Sequence, residues 1–222
     1  MNIKTFIAIS LLLIATLSAN AQSSSKTVDM NKLRYGLKAG GNLANVVVVG
    51  NSYSTMYNDK NRIGFYAGGY AEYPILDFLS ARTELYYNNI GSRKTFLDGH
   101  SDAKIVEKAH YISLPILAKA SLPKVPELYA TIGFGFNISL SARRVVKSQT
   151  NSSYNKITKA NDDYKRLNMM FLTSAGYHIT DDMAVEIGFG HSFSTPFKSV
   201  NGSSVSMFRH QYLQLGVAYR LN

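Results

Sequence analysis

The fold is decided by a strict alternation of side chains in Leu128-Tyr129-Ala130-Thr131-Ile132-Gly133-Phe134-Gly135-Phe136-Asn137-Ile138-Ser139-Leu140. Every even-numbered residue of this stretch is aliphatic or Phe, whereas the odd-numbered residues are Gly, Tyr or polar. Successive side chains of a β-strand point to opposite faces of a sheet. The stretch is therefore predicted to be a long strand with one apolar face and one polar face.

The same period of two recurs in seven further segments, at residues 33–43, 63–73, 79–87, 111–120, 167–179, 183–193 and 213–221. Most of these segments are longer than the roughly five or six residues that are usual in soluble proteins. A strand needs about 9–11 residues to cross a bilayer. The pattern therefore predicts an all-β protein whose eight strands span a membrane.

The connections between these strands alternate in length. Short links are predicted around residues 74–77, 123–126 and 180–182, and long polar links at roughly 44–61, 92–108, 143–163 and 195–206. Outer-membrane barrels have an even number of strands, short periplasmic turns and longer extracellular loops. The sequence thus predicts an eight-stranded antiparallel up-and-down transmembrane β-barrel with short periplasmic turns and long extracellular loops.

Charged residues of both signs occupy the polar rows, and the apolar rows carry none. We expect the apolar rows to face lipid and the charged rows to face the lumen, because a soluble barrel would have the reverse arrangement. A buried charge is costly unless it is paired. The predicted lumen charge network consists of Lys38, Glu72, Arg82, Glu84, Lys119 and Glu186. It either plugs the lumen together with glycines and tyrosines or lines a narrow gated pore.

The first residues have the features of a secretory signal. Lys4 precedes an apolar stretch at residues 6–17, and Ala19-Asn20-Ala21 is a small-x-small cleavage pattern. We expect residues 1–21 to be a signal peptide, 22–32 a periplasmic N-terminal segment and 33–222 the outer-membrane barrel domain. The chain has no Cys, so no disulfide stabilises it.

The chain is basic, with a formal net charge of +10 that falls to +9 when Lys4 is removed with the signal. Export makes nucleic acid an unsuitable partner, whereas outer-membrane lipid, lipopolysaccharide and acidic surface polymers are available. The third long link contains Arg143, Arg144 and Lys147. These residues are either part of a solvated outer loop or a binding site for the phosphates of such anionic polymers.

Chemistry-bearing residues are few. His110, His191, Ser192 and His210 lie near predicted strand ends, where a lipid-modifying enzyme would place its catalytic groups, but no third member completes a triad. The five His show no spacing typical of a metal site. We expect no enzymatic activity, no metal and no cofactor.

Five segments resemble the small outer-membrane β-barrel family common in Bacteroidota, that is, porin-family or PorT-like proteins, which include an accessory protein of gliding-linked secretion. They are Gly36-Leu37-Lys38-Ala39-Gly40-Gly41-Asn42, Gly64-Phe65-Tyr66-Ala67-Gly68, Glu84-Leu85-Tyr86-Tyr87, Tyr111-Ile112-Ser113-Leu114-Pro115-Ile116-Leu117-Ala118-Lys119 and Leu213-Gln214-Leu215-Gly216-Val217-Ala218-Tyr219-Arg220-Leu221. The family usually has an acid where Ser113 stands, so the resemblance implies one internal salt bridge fewer.

A function does not follow from a fold. We expect a structural or interaction protein of the cell envelope that contacts envelope components, or other envelope and secretion proteins, through its loops. A narrow porin-like channel for small solutes and an accessory subunit of a secretion system are the alternatives.

Overall fold

Eight long strands and two short ones make up the part of the chain that the computed structural model describes, residues 33–49, 57–96, 104–147, 156–159, 165–193 and 207–222. They are β1 (Arg34–Val49), β2 (Tyr57–Lys60), β3 (Arg62–Leu76), β4 (Leu79–Phe96), β5 (Lys104–Leu122), β6 (Val125–Lys147), β7 (Lys156–Lys159), β8 (Leu167–His178), β9 (Met183–Ser192) and β10 (Met207–Arg220). Within these ranges, no helix is long and apolar enough to cross a membrane. The predicted signal peptide and N-terminal segment lie outside the described residues.

The long strands close into a barrel. Their order around it is β1-β3-β4-β5-β6-β8-β9-β10, and β10 pairs with β1 again, so that each long strand has two antiparallel neighbours. The side chain of Asn222 joins the β10–β1 seam, since its Nδ2 donates to Leu33 O and its Oδ1 accepts from Tyr35 N, both at 2.9 Å. The predicted eight-stranded antiparallel barrel is confirmed.

Three short turns lie at one end of the barrel. Asp77 and Phe78 join β3 to β4, Pro123 and Lys124 join β5 to β6, and residues 179–182 join β8 to β9. The other connections leave from the opposite end. Short and long links alternate along the chain between the ends of the long strands.

The sheet extends further at the long-link end than the sequence predicts. Residues 44–49, 88–96, 104–110 and 141–147 continue β1, β4, β5 and β6, while β2 pairs with β4 and β7 pairs with β6. The two faces lose their contrast in this region. Inward side chains are apolar at Ala44, Val46 and Ile90 but polar at Ser92 and Glu107, and basic residues occur among the outward ones, so the hydrophobic alternation no longer marks the strands.

Inward-facing tyrosines lie directly opposite glycines on neighbouring strands. The pairs are Tyr70 with Gly36, Tyr66 with Gly40, Tyr86 with Gly68, Tyr129 with Gly176 and Tyr212 with Gly190. A Cβ atom at Gly190 would lie 2.2 Å from Cζ of Tyr212. Gly36, Gly176 and Gly190 therefore provide the space that the rings of Tyr70, Tyr129 and Tyr212 occupy in the narrow interior.

Candidate functional site

The outer face of the barrel carries a continuous apolar band. Ile63, Ile116 and Leu215, on three different strands, are 78 %, 67 % and 61 % exposed. Soluble monomers rarely expose apolar patches of such extent. A closed sheet leaves no unpaired backbone group at an edge, which is the condition for a β-structure to exist in hydrocarbon. The outer face is thus suited to lipid.

Four charged side chains form a closed ring inside the barrel. Lys38 Nζ lies 2.8 Å from Glu84 Oε2 and 3.2 Å from Glu186 Oε2. Arg82 completes the ring, with Nε at 2.9 Å from Glu84 Oε1 and Nη1 at 2.7 Å from Glu186 Oε1. Each cation thus contacts both carboxylates, and all four side chains are buried.

A further ion pair and Tyr129 extend this ring. Lys119 Nζ lies 2.9 Å from Glu72 Oε2 and 4.2 Å from the ring centre of Tyr129. The Tyr129 hydroxyl donates to Glu186 Oε1 at 2.7 Å. The six residues of the predicted lumen network are therefore all buried, and every one of them is in an ion pair; we call them the charge layer.

Side-chain amides and hydroxyls lie next along the lumen. Asn42 Nδ2 donates to Asn88 Oδ1 at 2.9 Å. Ser113, which stands where the resembled family usually has an acid, donates from Oγ to Asn137 Oδ1 at 2.6 Å. A neutral hydrogen bond is found at this position, where the resemblance implied the loss of a salt bridge.

An apolar layer follows, toward the long-link end. Its buried side chains are Ala44, Ile90, Ala109, Tyr111, Leu117, Ala142, Met170, Leu172 and Tyr212. Between the charge layer and this apolar layer lies a cavity of about 10 Å³, lined by Lys38, Glu84, Glu186, Leu117 and Leu172 among others. That volume holds roughly one water molecule.

The structure separates the three residues of the proposed anion-binding loop. Arg144 turns inward, where its Nη2 and Nε each lie 3.0 Å from Glu107 Oε1. Arg143 is exposed and lies directly opposite Lys108 on β5. Lys147 ends β6, and its side chain is outside the described residues. The anion-binding residues predicted from the sequence did not include Lys108, because the pairing of β5 with β6 cannot be predicted from residue spacing along one strand.

Among the rim residues considered as a catalytic group, His110 is separated from the other three. His110 is on β5 and His191 on β9, with β6 and β8 between them. His191 Nδ1 lies 3.0 Å from Gln211 Nε2. Ser192 and His210 are each 1 % exposed, so that neither is accessible to a lipid substrate.

A family model described as "Outer membrane protein beta-barrel domain" matches residues 20–200. The chain belongs to this family. Members of the family are outer-membrane barrels, and the apolar band and closed sheet agree with that location. The protein is thus an outer-membrane β-barrel protein located in the cell outer membrane.

Several solved structures are similar to this chain. Ail of Yersinia pestis, solved in complex with the heparin analogue sucrose octasulfate, is 12 % identical with a TM-score of 0.46, and the match covers 86 % of this chain and 99 % of Ail. Neisserial surface protein A is 16 % identical with a TM-score of 0.46, covering 83 % and 96 %. OprG of Pseudomonas aeruginosa is 8 % identical with a TM-score of 0.32, covering 86 % and 94 %. No curated protein matches the sequence.

Proposed function

We propose that this outer-membrane barrel has a side-chain-filled lumen and acts as a structural or interaction protein of the cell envelope through its long connections. The observation that carries the proposal is the stacking of the charge layer and the apolar layer across the lumen. A solute would have to displace paired ions and then cross closely packed apolar side chains. Contacts made outside the lumen are therefore the better candidates for the function.

The proposal includes an orientation and a processing step. The short turns face the periplasm and the long connections face the exterior, as is usual for such barrels. Residues 1–21 are removed on export, and residues 22–32 remain in the periplasm. The partners are outer-membrane lipid and lipopolysaccharide and, through the outer connections, other envelope or secretion proteins. No catalytic role is proposed.

A finer assignment is also part of the proposal. The segment Tyr111–Lys119 resembles Bacteroidota-type barrels, which include an accessory protein of gliding-linked secretion. Ser113 and Lys119, the third and last residues of this segment, both face the lumen and are buried. On the basis of this resemblance, the interaction role includes that of an accessory subunit of a secretion system.

The absence of cysteine makes a direct test possible. Arg166→Cys lies at the long-link end and Lys124→Cys in the short turn between β5 and β6; both positions are exposed. A membrane-impermeant photo-crosslinking maleimide applied to intact cells should label position 166 and capture envelope proteins from there. Position 124 should be labelled only after the outer membrane is permeabilised.

Two results would contradict the proposal separately. Labelling of position 124 in intact cells would reverse the orientation. Normal labelling at position 166 without any captured protein, combined with steady ion-sized conductance of the wild-type barrel in planar bilayers, would replace the interaction role by that of a narrow channel.

A further inference from the structure

The outer wall changes character immediately above the apolar band at the long-link end. Along β5, the outward positions pass from Ile112 to His110 and then to Lys108. Along β6, the exposed residue Arg143 follows Ile138 and Leu140 beyond a bulge. Tyr87 marks the boundary, since its ring lies 5.5 Å from Phe65 in the band and 5.9 Å from the ring of His110. The basic residues therefore begin where the hydrocarbon ends.

The strand register brings like charges together at this level. Lys108 pairs directly with Arg143 across β5 and β6, and His110 follows two pairs lower, opposite Ser141. Like charges directly opposite each other in a sheet are destabilising. Among the described side chains, neither Lys108 nor Arg143 has an ion-pair partner. The neighbouring acid, Glu107, faces inward and binds Arg144.

Two arginines add to this charge. Arg62, at the start of β3, and the exposed Arg93 on β4 are close enough to act electrostatically on each other, and Arg62 acts on His110 together with Lys108 and Arg143. Arg62 Nη1 is buried and makes no hydrogen bond within the described part of the chain. A buried charged donor without a partner is unfavourable unless something supplies the missing acceptor.

His110 is held in a fixed orientation within this group. Its Nδ1 lies 3.1 Å from Asn89 Nδ2 and also contacts the Tyr87 hydroxyl. In the neutral tautomer that carries its proton on Nε2, Nδ1 accepts from the Asn89 amide group. His110 can therefore contribute one further N–H donor next to the cations.

We propose that Arg62, Arg93, Lys108, His110 and Arg143, the basic patch, bind the phosphate groups of a phosphorylated glycolipid in the outer leaflet. Guanidinium and ammonium groups are the usual ligands of phosphate oxygens. Arg93, Lys108, His110 and Arg143 lie on the outer wall directly above the band, at the level of lipid headgroups, and Arg62 lies near them at the start of β3. This proposal rests on the proposed function and its orientation, and it deepens the interaction role by naming the residues that contact the glycolipid phosphates.

The test compares two double variants that each remove two positive charges. Lys108→Gln with Arg143→Gln changes the basic patch, whereas Lys165→Gln with Arg166→Gln changes exposed residues just before β8 at the same end. The purified full-length barrel in nanodiscs is titrated with bisphosphorylated lipid A and with the same glycolipid after removal of its phosphates. Inorganic phosphate is titrated separately, and the heat-modifiable shift in gel mobility reports folding of each variant.

We expect wild-type protein and the Lys165→Gln/Arg166→Gln control to bind the phosphorylated lipid more tightly than the dephosphorylated one. The patch variant should lose about tenfold or more of that affinity, because it lacks two of the cations that attract the lipid phosphates at the membrane surface. Equal losses in both double variants, or equal binding of the dephosphorylated lipid, would overturn the proposal. So would binding of inorganic phosphate alone with lipid A unbound. A reversed orientation is detected independently by labelling at positions 124 and 166.

Discussion

Arg82 is the residue on which the pairing of the charge layer depends most. Its guanidinium contacts Glu84 at 2.9 Å and Glu186 at 2.7 Å, and it lies 4.3 Å from the ring centre of Tyr70. Without Arg82, the two carboxylates of the ring share only Lys38. A buried ion pair adds little net stability while it is intact, but removing one partner leaves an uncompensated buried charge.

We therefore expect Arg82→Met to lower the free energy of unfolding by about 3–5 kcal/mol. Urea unfolding of the barrel refolded in lipid vesicles measures the change. Arg220→Met is the control, because Arg220 pairs at 3.1 Å with Asp182 at the exposed turn end. Such an exposed pair contributes at most about 1 kcal/mol. Similar losses for both variants would show that the ring has no special role in stability.

Some inward-facing tyrosines lie opposite a glycine on the neighbouring strand, and the two strands can pair closely only because that glycine has no side chain. Tyr129 on β6 is the partner of Gly176 on β8, and a Cβ atom at Gly176 would lie 2.2 Å from Cζ of Tyr129. The ring therefore could not remain beside Glu186, to which its hydroxyl donates. Gly41 faces outward, where a Cβ atom would meet its nearest neighbour, Gly64 O, at 3.8 Å.

Gly176→Ala is expected to lower the free energy of unfolding by about 1–3 kcal/mol through overpacking, measured by the same urea titration. Gly41→Ala should change it far less, since the added methyl group has room. Combining Gly176→Ala with Tyr129→Ala should give less than the sum of the two single losses, because the clash is then gone. Strict additivity would contradict the proposed contact between the methyl group and the ring.

The elements also show how far the sequence predicts the structure. The eight strands were predictable because lipid outside and charge inside impose a period of two over the spanning part. The continuation of β4, β5 and β6 past the band was not, because there the inside carries both apolar and polar side chains, as at Ile90 and Glu107, and the contrast between the faces is lost. The separation of Arg143 from Arg144 follows from the same period. Arg143 and Lys108 are neighbours because β5 pairs with β6 in a particular register. That register cannot be predicted from the spacing of residues within a single segment.

At the scale of the whole molecule, the charge layer and the apolar layer lie one after the other along a single lumen. Ions would have to pass both, so the more closed of the two decides whether the barrel conducts. The charge layer is held by ion pairs, whereas the apolar layer is held by close packing of side chains such as Ile90, Tyr111 and Tyr212. The two layers share no residue, so each can be altered by substitutions that leave the side chains of the other in the sequence.

Conductance in planar bilayers tests this serial arrangement. Lys38→Ala with Glu84→Ala removes one cation and one anion from the ring, and Ile90→Ala with Tyr111→Ala makes space in the apolar layer. Each double variant alone should remain as silent as the wild type, because the other layer still blocks the lumen. The four substitutions together should give steady openings, with the heat-modifiable gel shift confirming that each barrel is folded. Conductance from either double variant alone would mean that a single layer closes the lumen and that the other has no part in excluding ions.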